Sequence, residues 1–376
     1  MKHLNHYIIL GILSVLALAG CDQEHLDDTV KVQLPEHGYI FFNTELSTRA
    51  TLHKDMKRNF SVMGYNWEYI NQNDVWTTLR AKAKPNVFYN QKITYNSGSN
   101  LHSYTPIKSW EGGKKYAFFG YYPSQDESAG TIDTISTNTW EGTPYVTYTL
   151  PSNPANMQDV MTAAVYDTDY KTSREVNMTF KHRLAAVDVQ MVNLNNPYDV
   201  NNTPKDKTDD VSVYLKITNL AVNFSNFRYN HVKLWMDETI ADEPSGIKGW
   251  NPAKSFTLFS NSVKVQPSGA STNSTIVTTS GNPLIIIPQY IDTKYTEYLK
   301  GSVTFNLQYT DEDGNTINLN DAEIVPGNHT HEFNIGRDIM PGRKHTIQLT
   351  FTRDAVTVTI VPSGDWIDKN VNIEFE

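Results

Sequence analysis

Two histidines, His329 and His331, flank Thr330. On a strand, where side chains alternate, they share a face, and two imidazoles on one face can hold a transition metal. No third ligand is evident, so a solvated strand end is the plainer reading. Asp311, Asp313 and Asn315 offer oxygens at every second position, as a calcium loop begins. The downstream Glu of such a loop is missing, and Asp313-Gly314 is already explained as a hairpin turn. Asp126-Glu127 is an acid pair in loop sequence with no partner base. Glycosidase carboxylates are paired in space rather than in sequence, and nothing singles out a pair. The GxSxG, HExxH, P-loop, dinucleotide-binding and EF-hand patterns do not occur. The sequence therefore argues against an enzyme and points to no metal and no cofactor.

The chain has one cysteine, Cys21, so an internal disulfide, a cysteine zinc site and a CxxC redox pair are excluded. Its position accounts for it. Residues 1–20 read MKHLNHYIILGILSVLALAG, with a short positive end at Lys2 and an apolar stretch from Tyr7 to Leu18. A bilayer span takes about 20 apolar residues, and this stretch is shorter. It has the length of the apolar region of a secretory signal. The segment closes on Leu18-Ala19-Gly20-Cys21, which resembles the bacterial lipobox. That resemblance implies cleavage between Gly20 and Cys21, diacylglycerol on the thiol and acylation of the new amine. The outer membrane then becomes a partner through the lipid on Cys21, since several acyl chains anchor stably where one is marginal. Asp22, Glu24, Asp27 and Asp28 follow as an acidic tether. It resembles the stretch that marks surface-exported lipoproteins in Bacteroidota; a merely solvated linker is the other reading.

The elements that must position any site are strands. Hydrophobic residues make up 39% of the 376 and charged residues 19%, a globular composition long enough for two domains. A net charge of −9 offers nothing to a phosphate backbone, so nucleic acid is not a partner. Period-2 alternation predicts strands over 38–46, 59–67, 87–95, 116–122, 145–150, 176–180 and 186–192. Further strands are predicted over 211–224, 256–260, 284–288, 302–309, 345–352, 355–361 and 370–375. A short helix is predicted around Met157–Ala163. Asp313-Gly314 predicts a hairpin between Tyr309 and Ile317. Many short strands divided by turns predict an all-β fold of β-sandwiches. Residues 193–210, rich in Asn, Asp and Pro, place a boundary near mid-chain. The expected organisation is a signal peptide over 1–20, a lipidated tether over 21–37, and β-sandwich domains over 38–195 and 196–376.

The order of motifs is more specific than any one of them. After the lipobox come an early strand, Ser47-Thr48-Arg49-Ala50, FSVMGYNW at 60–67 and KKYAFFGYYP at 114–123. QDVMTAAVY at 158–166, VNMTFKHRLAAVDVQM at 176–191, LIIIPQ at 284–289 and a Trp-containing C-terminal strand follow. This series resembles the fimbrillin family of Bacteroidota, the type V pilins and their Mfa-like relatives. The resemblance implies two tandem transthyretin-like β-sandwich domains after a lipoprotein signal peptide. It implies a lipidated precursor at the outer membrane, cut in the early loop by an Arg-specific protease. The first strand then leaves, and a C-terminal strand of another fimbrial subunit fills the groove.

The residues suit that scheme. In GYIFFNTEL, residues 38–46, Ile40, Phe42 and Leu46 lie on one face, with Thr44 among them. Arg49-Ala50 follows in a polar stretch open to a protease. At the C-terminus Val371, Ile373 and Phe375 share a face, as a replacing donor strand requires. Three such side chains are worth about 1.5–3 kcal/mol each when buried, and a head-to-tail joint yields a filament. The plainer readings are a permanent first strand, an ordinary loop arginine and a last strand that stays in its own domain. The expected function is a structural subunit of surface fimbriae supporting cell adhesion. The alternative is a glycan-binding surface lipoprotein of a nutrient-uptake system, with Trp67, Trp76, Trp110, Trp140, Trp235 and Trp250 as candidate platforms.

Overall fold

Among the described residues the regular structure is almost wholly strand. The computed structural model describes residues 36–46, 57–195 and, with short breaks, 197–365. The first half runs β1 (Phe41–Leu46), β2 (Phe60–Glu68), β3 (Phe88–Asn96), β4 (Leu101–Ser103) and β5 (Lys114–Tyr122). It continues β6 (Ile132–Ile135), β7 (Tyr145–Thr149), β8 (Met161–Thr168), β9 (Glu175–His182) and β10 (Ala185–Asn193). Next come β11 (Tyr198–Asp199), β12 (Asp210–Val211), β13 (Tyr214–Phe224), β14 (His231–Trp235), β15 (Ser245–Gly246) and β16 (Lys254–Phe259). The last are β17 (Val263–Val265), β18 (Thr275–Ile276), β19 (Leu284–Ile286), β20 (Leu299–Thr310), β21 (Gly327–Ile335), β22 (Arg343–Phe351) and β23 (Val356–Asp365).

A seven-stranded sheet has the order β1-β9-β8-β5-β2-β3-β4. Its centre is antiparallel, with Ser61 opposite Tyr121 and Glu68 opposite Lys114. A second sheet runs β18-β10-β22-β23 with β19 also on β10, and a third runs β16-β13-β20-β21 with β17 on β13. A four-stranded sheet, β15-β14-β7-β6, joins strands from both halves. Strand β10 likewise pairs with β22, parallel, with Val187 opposite His345. The described residues from His37 onward form one compact unit. One apolar core runs through it, from Tyr65, Phe119 and Tyr148 to Leu215, Leu307 and Leu349. A second core lies under the seven-stranded sheet and holds Ile40, Phe42, Phe60, Phe88, Trp110, Phe118, Met178 and Phe180.

The predicted helix at Met157–Ala163 is not one. Pro154–Asn156 form a single tight turn, with the Ala155 N–H donating to the Asn153 side chain at 3.0 Å. The chain then enters β8, where Met161–Thr168 pair with β5. The open flank of β5 outweighs the weak local preference of Ala163-Ala164 for helix. The hairpin at Asp313-Gly314 forms as predicted, with Ile317 N–H donating to Tyr309 at 3.0 Å. Among the described residues no helix is long and apolar enough to cross a membrane.

Candidate functional site: the first strand and its slot

Strand β1 is six residues long and pairs with β9 in parallel, from Phe41 opposite Glu175 to Leu46 opposite Phe180. Its alternation sorts the side chains. Ile40, Phe42 and Thr44 are buried, while Phe41 is 38% exposed. The Phe42 ring meets four aromatic rings at 5.6–6.3 Å between centroids: Phe60, Phe88, Tyr104 and Phe118. All four meetings are steep or edge-on, the arrangement aromatic quadrupoles favour. The slot therefore fits one large flat side chain at this position.

The slot depends on two close approaches. A Cβ on Gly64 of β2 would stand 2.6 Å from Phe88 Cδ2, and one on Gly120 of β5 would stand 2.9 Å from Met178 Cε and Phe180 Cζ. Glycine at these two places lets the rings settle directly on backbone.

On its other side the first strand is strapped down before it begins. Ile40 N–H donates to the Lys108 carbonyl at 2.9 Å, and Trp110 N–H donates to the Gly38 carbonyl at 3.0 Å. Tyr39 and Ser109 face each other as an isolated antiparallel bridge. The Tyr104 hydroxyl donates to the Ile40 carbonyl at 2.7 Å. Burial pushes the Tyr104 phenol up to about 12, so it stays a donor at any physiological pH. His37 stacks on Tyr170 with 4.2 Å between centroids. Strand β1 thus closes the gap between β9 and the 104–110 connection, and also approaches β4 at the far end of the sheet order.

Beside the slot, the β8–β9 turn is fixed by Asp169. Its carboxylate accepts from Thr172 N–H at 2.7 Å and from the Thr172 hydroxyl at 2.6 Å. Lys115 Nζ lies 2.8 Å away, which ties the end of β8 to the start of β5. Burial alone would raise the Asp169 pKa, but the bonds from Lys115 and Thr172 hold it down at about 2. On the outer face Asn43 donates to the Asn177 side chain at 3.3 Å.

Of the residues singled out in the sequence, Ile40 and Phe42 lie together in one core with their backbone on β9. The Leu46 side chain lies outside the described residues, as do Gly20, Cys21, Arg49, Ala50, Trp250, Val371, Ile373 and Phe375. Asp311 spends its carboxylate on Asn315, accepting from its backbone N–H at 2.8 Å and its side-chain amide at 2.9 Å. Asp126 and Glu127 both pair with Lys92, at 2.7 and 2.6 Å. Trp76 and Trp110 are buried. Trp140 and Trp235 are half-buried and, with Tyr145, surround the Lys233 ammonium at 5.4, 5.1 and 3.9 Å from the ring centroids. The 104–110 strap was not anticipated; its one signal is Tyr104 and Trp110, two large aromatics in a stretch otherwise read as loop.

Comparison with known proteins is decisive at the level of family. The family model described as fimbrillin-like matches residues 48–366, beginning just past β1. The chain belongs to the fimbrillin-like family. Among solved structures, this fimbrillin-like chain is similar to a fimbrial protein from Bacteroides vulgatus, with a TM-score of 0.60 at 17% identity. That match covers 87% of this chain and 99% of the other, and at such identity it shows the fold alone. The tip fimbrial protein Mfa3 from Porphyromonas gingivalis, truncated at its C-terminus, also matches over 87% of this chain and 99% of its own. Its identity is 11% and its TM-score 0.33, too low to carry an argument. No curated protein matches the sequence.

Proposed function

We propose that this fimbrillin-like chain is a structural subunit of surface fimbriae, assembled with other fimbrial subunits and not an enzyme. Its family supports that role. In finer detail, the precursor is lipidated on Cys21 and carried to the outer membrane. An Arg-specific protease cuts after Arg49, β1 leaves, and the C-terminal strand of another subunit, with Val371, Ile373 and Phe375 inward, takes its place. In this scheme 38–195 carry the acceptor groove and 196–376 carry the donor.

The observation that carries the scheme is the construction of β1. It is short, lies at the end of the sheet order, holds a single ladder to β9, and still supplies Ile40 and Phe42 to the core. Removing it would expose an unpaired strand edge beside an aromatic slot, a surface that demands a partner.

The test uses lipid-free precursor and a low dose of an Arg-specific protease. Release of the segment ending at Arg49, followed by ladders on an unheated denaturing gel, is the expected result. Cut protein that stays monomeric would remove the polymerising role. Unchanged ladders after deletion from Val371 onward would remove the donor assignment.

A further inference from the structure

The pattern Ile-x-Phe occurs at two places in the chain, Ile40-Phe41-Phe42 and Ile373-Glu374-Phe375. The first copy is the part of the leading segment that fills the core. Ile40 and Phe42 are buried, and Phe41 between them is exposed. The second copy lies in residues 370–375, predicted as a strand, and carries a carboxylate at the middle position, as an outward-facing site tolerates. Were residues 1–49 removed, the second copy would be the one left in the chain.

The slot around β1 reads two different properties of a strand. The rings of Phe60, Phe88, Tyr104 and Phe118 read a side chain, because they stand steeply around one planar ring. Of Val371, Ile373 and Phe375, only Phe375 supplies such a ring. The 104–110 connection reads direction. With β1 in place the Lys108 carbonyl accepts from Ile40 N–H at 2.9 Å, and the Tyr104 hydroxyl donates to the Ile40 carbonyl at 2.7 Å. Loss of β1 takes both of these partners away, which is costly for polar groups shielded from water. A strand running the same way, with Ile373 at the Ile40 position, returns an N–H and a carbonyl to the same two points. A reversed strand with Phe375 in the slot sets Ile373 in the buried place of the smaller Thr44 and leaves the Ile40 space empty. It would suffer overpacking and a cavity together. The match ends at Ile-x-Phe: Gly38 has a φ of +79°, which a β-branched residue such as Val371 does not adopt.

We propose that Ile373 and Phe375 of a second copy of this chain take the places of Ile40 and Phe42, entering parallel to β9 as β1 does, a placement that rests on the strand exchange proposed above.

The test uses the lipid-free full chain cut by an Arg-specific protease, with cysteine pairs that join the donor of one subunit to β9 of the next. Cys21 is the chain's one cysteine and leaves with residues 1–49, so the engineered thiols have no competitor. In the proposed register Glu374 stands where Phe41 does, opposite Glu175. Glu374→Cys with Glu175→Cys should therefore give a ladder that survives boiling and collapses on reduction, since facing residues on neighbouring strands lie within disulfide reach. Asn177 stands opposite Asn43. Asn177→Cys should accordingly cross-link with neither Glu374→Cys nor Asn372→Cys. Phe375→Ala should raise the concentration at which half of the cut chain polymerises by about thirtyfold or more, as loss of a buried aromatic anchor does. Val371→Ala should raise it less. Cross-linking through Asn177→Cys, or a larger effect of Val371→Ala than of Phe375→Ala, would overturn the placement while ladders of the cut wild type still upheld strand exchange itself. A cut wild type that forms no ladder would remove both.

Discussion

Replacing Phe42 with Ala should loosen β1 while the sheet behind it stays folded. The ring is 6% exposed and packs on four aromatic rings. Truncating a buried Phe to Ala costs about 3–5 kcal/mol. When β1 is detached Phe42 has already left its slot, so the loss falls on the closed state. Each 1.4 kcal/mol is about tenfold, so detachment should become about a hundred- to several-thousand-fold more frequent. Native-state hydrogen exchange reads this directly at the amides of β1. In the wild type those amides should exchange faster than the amides of β5, which has ladders on both sides. In the variant the β1 rates should rise by the stated factor and stay ahead of β5. Phe41→Ala, on the exposed face, should change stability by no more than about 0.5 kcal/mol. Equal exchange of β1 and β5 in both proteins would show that β1 opens only with the whole unit, and the idea of a separable first strand would fail. So would a Phe41→Ala effect as large as that of Phe42→Ala.

Gly64→Ala should force Phe88 out of the slot, costing about 1–3 kcal/mol as overpacking does; a denaturant midpoint equal to wild type would contradict it. Tyr104→Phe removes the bond the hydroxyl donates to the Ile40 carbonyl and the one it accepts from Lys108 N–H, and should cost about 1–3 kcal/mol, read by chemical denaturation at neutral pH. The Asp169 pKa is depressed from 3.8 to about 2 in the folded chain, so its stabilisation is whole above about pH 4 and is lost as the pH falls toward 2. After allowance for solvent screening this is about 1–2 kcal/mol, and Asp169→Asn should flatten the acid limb of a stability–pH curve between those values.

Much of this was legible because strands reveal themselves locally. Ile40, Phe42 and Thr44 alternate with Phe41 and Asn43, and that alone fixes which residues enter the core. What alternation cannot name is the partner. Nothing in residues 38–46 says that they lie parallel to Glu175–Phe180, because that pairing joins positions 134 residues apart. Short strands such as β4 and β6 carry too few residues to show a period. The Met157–Ala163 error has the same origin: Ala163-Ala164 has a weak local preference, and the demand of β5 for a neighbour decides. Strand β10, assigned by sequence to the first half, ladders with β22, since apolar runs buried on both faces state no preference between sheets.

The attachment of β1 to the body has a consequence best put as concentration. In the sequence only residues 47–59 separate Leu46 from Phe60. A strand on so short a leash returns to its slot at an effective concentration on the order of millimolar. It can therefore be a weak ligand and still exclude every competitor present at a lower concentration. Were the leash severed, the same strand, with the same contacts, would have to hold its place by affinity alone. A segment brought by a neighbour would then compete on equal terms, and the outcome would turn on side chains rather than on covalent reach. The slot around Phe42 would become a measure of fit between subunits only after the chain had been opened.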